Sequence, residues 1–388
     1  MKILLIAPQP FFQDRGTPIA VKLMTEILAE LGNSIHLVVY HEGEDIKIPN
    51  VTLHRIPALP GIKDIKPGLS LKKIICDMFI FFKCLPIIIK HKISLIHAVE
   101  ESVFLAVVIK FLFGLPFIYD MDSCLSIQII DKFPLFRPAR PLIEFFEKMA
   151  LRYSNGAIVV CKSLEDIAHK FAPGKLISRL EDVSLLTKTA RGDEYLRTAY
   201  NISGPIVMYV GNLEKYQGID LLIDAFQQVL NRGCKANLVI IGGSDGDIDI
   251  YKQRVQQLGV ADNIFFCGPR PISLLGYYLS QADILVSPRI QGNNTPMKIY
   301  SYLDSGKAVL ATRLPTHTQV LDEDISLLVN PNPGDMANGM FELLSDEALR
   351  NRLSLNARQK VRQEYSISAY RAKVTRFYTT LTTELKLQ

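Results

Sequence analysis

Apolar and polar positions alternate in blocks from the first residue. "KILLIA" is followed by the polar loop "PQPFFQDRGT", an apolar-periodic stretch over 18–31 that Gly32 closes, and then "IHLVVY". This order predicts strand, loop, helix and strand, with Thr17 as cap, Pro18 in the first helical turn and Gly32 as the stop. The arrangement recurs later: "PIVMYV" from Pro205, the loop "GNLEKYQ", a helix from Gly218 to about Leu230, and "NLVIIGG" from Asn237. Two such openings, far apart in the chain, predict two separate parallel-sheet domains of α/β class. The polar, charged stretch 189–205 ends in Ser-Gly-Pro and divides them. The expected organisation is an N-terminal domain over 1–195, a C-terminal domain over 196–366, and a last helix over 367–388 beyond the second sheet.

One lysine-rich helical stretch has its own pattern. Leu71, Ile74, Ile75, Met78, Phe82, Leu85 and Ile89 share one face, while Lys72, Lys73, Asp77, Lys83 and Lys90 fall largely off it. Pro86 is expected to break or bend this helix. Its most apolar part is shorter than the ~20 residues of a membrane span and carries Asp77 and Lys83, so it is not expected to cross a bilayer. Two readings stay open: a core helix with a solvated basic face, or a helix lying on an anionic membrane surface. Seven lysines stand against two aspartates over residues 63–92, which equals the whole net charge of +5. The basic character is therefore local, and it accompanies aliphatic side chains rather than the exposed aromatics of a nucleic-acid face.

The 388 residues, 48% of them apolar, exceed one ordinary core and suit two. Six cysteines are scattered without a CxxC pair, so neither a metal site nor a disulfide framework is expected, and a cytoplasmic, reducing setting fits. "MKILLIAP" reads as a first strand instead of a secretion signal. Neither first loop contains GxGxxG, and GxxxxGK[ST] does not occur, which argues against a dinucleotide oxidoreductase and a P-loop hydrolase. No cofactor is expected.

The chemistry gathers in "ADILVSPRIQGNNTPMKIYSYLDSG". An apolar run ends at Pro288, and Ile299, Tyr302 and Leu303 then take helical spacing, with Thr295 as cap, Pro296 in the first turn and Gly306 as the end. The knot Gly292-Asn293-Asn294-Thr295 thus becomes a loop at the carboxyl edge of a parallel strand, where open α/β sheets bind ligands. Free N–H groups over 297–299, together with Arg289 and Lys298, suit a diphosphate. In the first half, Asp120 and Asp122 close the apolar run "LPFIY", His97 follows "ISLI", and His317 holds a like position in "LPTHTQ". Gly16 would let backbone approach a phosphate, with Arg15 beside it.

The order of Asp283 to Pro288, followed by "KIYSYLDSGKAVLAT", resembles the donor-binding region of family 4 glycosyltransferases, written "PxK" and then "EYxAxGxPVvAT". "MYVGNLEKYQGIDLLIDAF", "LVIIGG", "NIFFCGP" and "NARQKVRQEYS" are similar to further stretches of that family. The resemblance implies the GT-B architecture: two facing Rossmann-like domains, with the last helix returning to the first domain. It implies transfer of a sugar, with retained configuration and no metal, from a nucleotide sugar of UDP, GDP or ADP type. The acceptor would be a glycan or, because the lysines accompany an aliphatic stripe, lipid-linked at the inner face of a cell membrane, in synthesis of surface polysaccharide or glycolipid. Donor contacts would come from Gly16, Gly211, Asn212, Gln217, Asn293, Asn294, Thr295, Met297 and Ser301, catalysis from Arg289, Lys298, Asp120 and Asp122, and acceptor contacts from Arg15 and His97. Several positions depart from the pattern. The family's two glutamates fall on Asn293 and Ser301, its arginine and lysine on Asn212 and Gln217, and its N-terminal histidine on Met121. The alternative is therefore an inactive homologue serving as a binding or partner subunit.

Overall fold

The computed structural model describes residues 1–13, 16–65, 68, 70–186, 192 and 194–387, with 131 and 132 by backbone alone. It divides into two compact units, Met1–Glu181 with Arg371–Gln388, and Asp182–Tyr370.

The first unit is built on β1 (Lys2–Ile6), β2 (Ser34–Val39), β3 (Val51–Arg55), β4 (Leu95–Val99), β5 (Phe117–Met121), β6 (Gly156–Val159) and β7 (Ile177–Arg179). These pair in parallel in the order β3-β2-β1-β4-β5-β6-β7. A parallel sheet is covered on both faces, so its strands are continuous apolar runs; β4 and β5 are buried at every position. That is why "LIHAV" and "FIYDM" are readable as strands. The helices that matter for the site are α1 (Gly16–Glu30), α2 (Leu71–His91), α3 (Ser102–Phe113), α4 (Leu125–Lys132) and α5 (Arg140–Tyr153). Since α1 starts at Gly16, Thr17 lies inside the helix and does not cap it. Gly32 takes φ 84, the left-handed stop expected of it.

Helix α2 corrects three expectations. It runs unbroken through Pro86; one missing N–H is outweighed because Cys84, Ile87 and Ile88 on either side are anchored in the core. The stripe that includes Leu71, Met78, Phe82 and Ile89 does not face the core, since these four are 73, 57, 61 and 69% exposed. The core takes a second stripe instead, Cys76, Ile80, Cys84, Ile87 and Ile88. Lys73, expected on the solvated side, is buried in an ion pair with Glu101.

The C-terminal helix (Ile367–Leu385) is held to this unit from Arg371 onward. Arg371 pairs with Glu30, Lys373 Nζ lies 2.6 Å from Glu181, and the Phe377 ring rests on Gly156, where a Cβ would come within 3.0 Å of it.

The second unit contains β8 (Ile206–Val210), β9 (Asn237–Ile241), β10 (Ile264–Gly268), β11 (Ile284–Ser287), β12 (Ala308–Thr312) and β13 (Leu327–Val329). Their order is β10-β9-β8-β11-β12-β13, again parallel. Alternate residues feed separate cores: Val207, Tyr209, Ile240 and Val286 on one face, Met208, Val239, Ile241 and Leu285 on the other. Strand order reverses direction between β8 and β11, so the loops leaving those two strands diverge and open a crevice at the carboxyl edge.

Candidate active site

That crevice is where the second unit places its candidate residues. The loop after β8 brings Gly211, Asn212 and Gln217, and the loop after β11 brings Arg289 to Lys298. The helix following the second loop is short, Lys298–Asp304. Thr295 was expected to cap it, but no side chain does so; the buried Thr295 hydroxyl has no partner. The N–H of Ile299 is also committed, donating to the Pro296 carbonyl at 2.9 Å. The helix start is therefore a minor part of the site. Charge is the larger part.

Arg289 and Lys298 are half-buried, and among the described residues neither forms an ion pair. Arg289 Nη1 donates to the Asn294 carbonyl and to Thr316 Oγ1, both at 2.9 Å, and its guanidinium lies 5.0 Å from the Tyr216 ring centre. Its buried Nε has no partner. Lys298 Nζ donates to Gln217 Oε1 at 3.2 Å and sits 4.0 Å from the centre of the Tyr209 ring. Burial, and then the nearby Arg289 charge, hold the Lys298 ammonium well below its usual pKa. Burial likewise lowers Arg289. Two cations that repel one another in a desolvated crevice are stabilised by an anion between them. Gly211 lies against Lys298 and Tyr209, since a Cβ there would meet Lys298 Nζ at 2.7 Å and the Tyr209 hydroxyl at 2.9 Å, so a side chain at this position would have to displace the ammonium.

The position of Lys298 bears on the departures noted in the sequence. Its ammonium reaches the loop after β8 and touches Gln217, one of the two positions where the family pattern has a cation. Asn212 is exposed, its Oδ1 accepting from the Glu214 N–H at 3.4 Å and its carbonyl from the Tyr209 hydroxyl at 2.6 Å. Asn293 and Asn294 present their carbonyls to Gln319 Nε2 at 2.7 Å and to Arg289, and Met297 precedes the helix half-buried. Ser301 is fully buried, its Oγ accepting from the Leu185 N–H at 3.0 Å. His317, also fully buried, donates from Nδ1 to the Thr312 carbonyl at 2.8 Å and accepts at Nε2 from Ser287 Oγ at 2.9 Å. Burial lowers its pKa to about 4, so it stays neutral and fixes the floor beneath Arg289.

In the first unit His97 is fully buried. Its Nε2–H donates to Asp120 Oδ2 at 2.8 Å and its Nδ1 accepts the Tyr378 hydroxyl at 2.6 Å. Two candidates read separately from the sequence are thus brought together, with Tyr378 of the C-terminal helix as an unforeseen third member. Asp122 follows β5 half-buried. Gly16 opens α1 at φ 31, and a Cβ there would meet nothing within 4 Å. Arg15 lies outside the described residues. Sequence reading missed Glu100 and Glu101, although they follow the apolar run "LIHAV" just as Asp120 and Asp122 close theirs. It also missed Tyr209 and Tyr216, whose rings wall the two cations.

Residues 197–360 match the family model described as glycosyl transferases group 1. A phosphatidyl-myo-inositol mannosyltransferase of Mycobacterium tuberculosis is 27% identical over 207 residues, covering 52% of each chain. The chain thus spans about half the length of the curated relatives it matches. Among solved structures, sucrose-phosphate synthase of Thermosynechococcus elongatus superposes with a TM-score of 0.80 at 20% identity over 99% of both chains. Anabaena HepE in complex with UDP superposes at 0.75 and 17% identity, over 98% of this chain and 100% of that one. Residues 197–360 thus match the group 1 glycosyl transferases, and the two parallel Rossmann-like sheets are those of the GT-B fold that the sequence resemblance implied.

Proposed function

We propose that the protein moves a sugar, with retained configuration, from a nucleoside diphosphate sugar to a glycan or lipid-linked acceptor. The observation that carries this reading is the convergence of Arg289 and Lys298 at the β8/β11 crevice without a carboxylate partner among the described residues. As the bond to the sugar breaks, negative charge grows on the departing phosphate, and fixed donors aimed there lower the barrier. Arg289 and Lys298 would supply this charge from side chains without calling on a metal ion. Met297 N–H, Gly211 and Gln217 would shape the diphosphate site, with Asn293, Asn294, Thr295 and Ser301 toward the sugar and ribose. Asp120 and Asp122 would serve the acceptor.

The relative crystallised with UDP makes that nucleotide the first to try. Saturating UDP or UDP-glucose is expected to raise the melting temperature by several degrees, since a ligand at ~100 times its Kd adds about 2.7 kcal/mol. Stabilisation with release of free UDP supports the transferase; stabilisation without any release supports the binding subunit. No shift with UDP, GDP or ADP sugars would sink both readings.

The exposed stripe on α2 favours an anionic membrane surface as a further partner. Further exposed apolar side chains stand on two other helices of the same unit, where Phe111 and Leu112 of α3 and Leu142, Phe145 and Phe146 of α5 are 52 to 67% exposed. Lys72 and Lys90 are exposed beside the stripe on α2. Among the described residues no helix is long and apolar enough to cross a membrane, so the stripe would lie in the interface. In flotation with phosphatidylglycerol vesicles, Lys72→Glu with Phe82→Ser is expected to weaken binding about tenfold or more. Unchanged flotation would remove the membrane from the partners.

A further inference from the structure

His97 stands in the middle of β4, between β1 and β5, on a strand whose other side chains are apolar. It is fully buried, and Tyr378 and Asp120 are buried with it. An ionised carboxylate only accepts hydrogen bonds, so the Nε2 that lies 2.8 Å from Asp120 Oδ2 carries the proton. In the neutral ring Nδ1 is then an acceptor, and the Tyr378 hydroxyl donates to it at 2.6 Å. The tautomer is thereby fixed from both ends. The line of hydrogen bonds runs from the C-terminal helix, through β4, to the carboxyl edge of β5.

Packing alone does not account for this arrangement. Three polar side chains from three elements must each be satisfied inside the protein, whereas apolar side chains of similar volume would fill the same space without that requirement. What the polar set adds is an oriented carboxylate. Among the described residues His97 is the one hydrogen-bond donor to the Asp120 side chain, which keeps 11% of its surface in solvent. A carboxylate has about four accepting positions, so most of that capacity is left for a group arriving from outside. The backbone of Asp120 is held as well, its carbonyl accepting from the Glu100 N–H at 2.8 Å. Tyr378 is placed in turn by its own helix, through the Lys373 bridge to Glu181 and the Phe377 ring on Gly156.

We propose that Tyr378 is a positioning residue of the acceptor side: through His97 it aims the open lone pairs of Asp120 at the acceptor hydroxyl. The role of Asp120 rests on the transferase reading; the relay rests on these three residues alone. In the full chain carrying nitrogen-15 histidine, the His97 ring is identified by its loss in His97→Gln. It is expected to show only the Nε2–H form, and Tyr378→Phe to add the Nδ1–H form, while unchanged His36 and His54 signals report an intact first unit. Turnover is read as nucleotide release from UDP, GDP and ADP sugars, with water in place of the acceptor. Tyr378→Phe is expected to lower kcat about tenfold at unchanged KM for the nucleotide sugar, because a misaimed group slows the reaction without weakening donor binding. His97→Gln keeps an N–H for Asp120 and breaks the link to Tyr378, so in that background Tyr378→Phe is expected to have no further effect. A tyrosine that only packs its helix would instead give losses that add. An Nδ1–H form in the parent, a spectrum or a kcat that Tyr378→Phe leaves unmoved, or two losses adding in full overturns the proposal. If the parent turns over none of these sugars, the transferase reading falls, and the spectrum by itself decides whether Tyr378 sets the His97 tautomer.

Discussion

Lys298→Met is expected to make the free protein more stable while removing its hold on a nucleoside diphosphate. The two signs have one cause. In the free protein the ammonium is desolvated, faces Arg289, and has only the Gln217 amide oxygen and the Tyr209 ring in return. An isosteric thioether keeps the packing and drops the charge, which should stabilise by about 1–2 kcal/mol, because uncompensated buried charge is costly. With ligand, the same change deletes a charge-assisted contact to phosphate, for a loss of about 2–5 kcal/mol, or roughly 30-fold or more. A lysine of merely structural importance would move both quantities the same way. The pH dependence follows from the lowered pKa. Between its folded value and the unfolded value near 10.4 the unfolded chain binds the extra proton, so stability of the free protein rises with pH across that window. Saturating UDP should flatten this rise by restoring the ammonium's pKa, and Lys298→Met should abolish it. Denaturant unfolding of both forms, with and without UDP, measures all four values; a Met variant that is less stable and still binds UDP would contradict the assignment of Lys298 to the diphosphate.

The crevice of the second unit was legible because its signals are local. An apolar run ending in proline marks β11, and the turn formers after it mark the loop at its carboxyl edge, so Arg289 and Lys298 could be placed from spacing alone. What spacing could not give was their relation to the loop after β8, which lies far back in the sequence and meets Lys298 only through the β8/β11 pairing. Helix α2 shows a different limit. Its residues form two apolar stripes, 71-74-75-78-82-85-89 and 76-80-84-87-88; the sequence reading named only the first, because periodicity alone does not say which one the sheet covers. Tertiary packing chose the second. Lys73 was misplaced for a related reason: its partner Glu101 belongs to another helix, and a lysine without a visible partner reads as solvated. Thr295 shows how a sequence cap signal fails, since the helix starts three residues later and the hydroxyl is left free of the backbone it was expected to bind.

Glu147→Ala is expected to give the largest loss of stability of any single substitution considered for the first unit. Glu147 of α5 is fully buried, and its carboxylate accepts from the Leu125 N–H at 2.8 Å, the Ser126 N–H at 3.4 Å and Ser126 Oγ at 2.9 Å, with Cys124 Sγ at 3.3 Å. Helix α4 has no side-chain cap of its own. Its first N–H groups are therefore satisfied by an acid from a neighbouring helix, and the carboxylate meets the positive end of the α4 dipole. Removing the acid leaves several buried donors without a partner at once, for a cost of about 3–5 kcal/mol. Glu147→Gln should cost less, since its carbonyl oxygen keeps accepting while its amide nitrogen faces donors it cannot satisfy. The consequence reaches the site, because α4 begins just after Asp120 and Asp122 and sets the exit direction of the strand that carries them. Acceptor-dependent turnover should therefore fall in Glu147→Gln while UDP affinity in the second unit stays unchanged. Chemical denaturation and UDP titration of the two variants separate these effects; an alanine variant within about 1 kcal/mol of the parent would show that α4 finds its cap elsewhere.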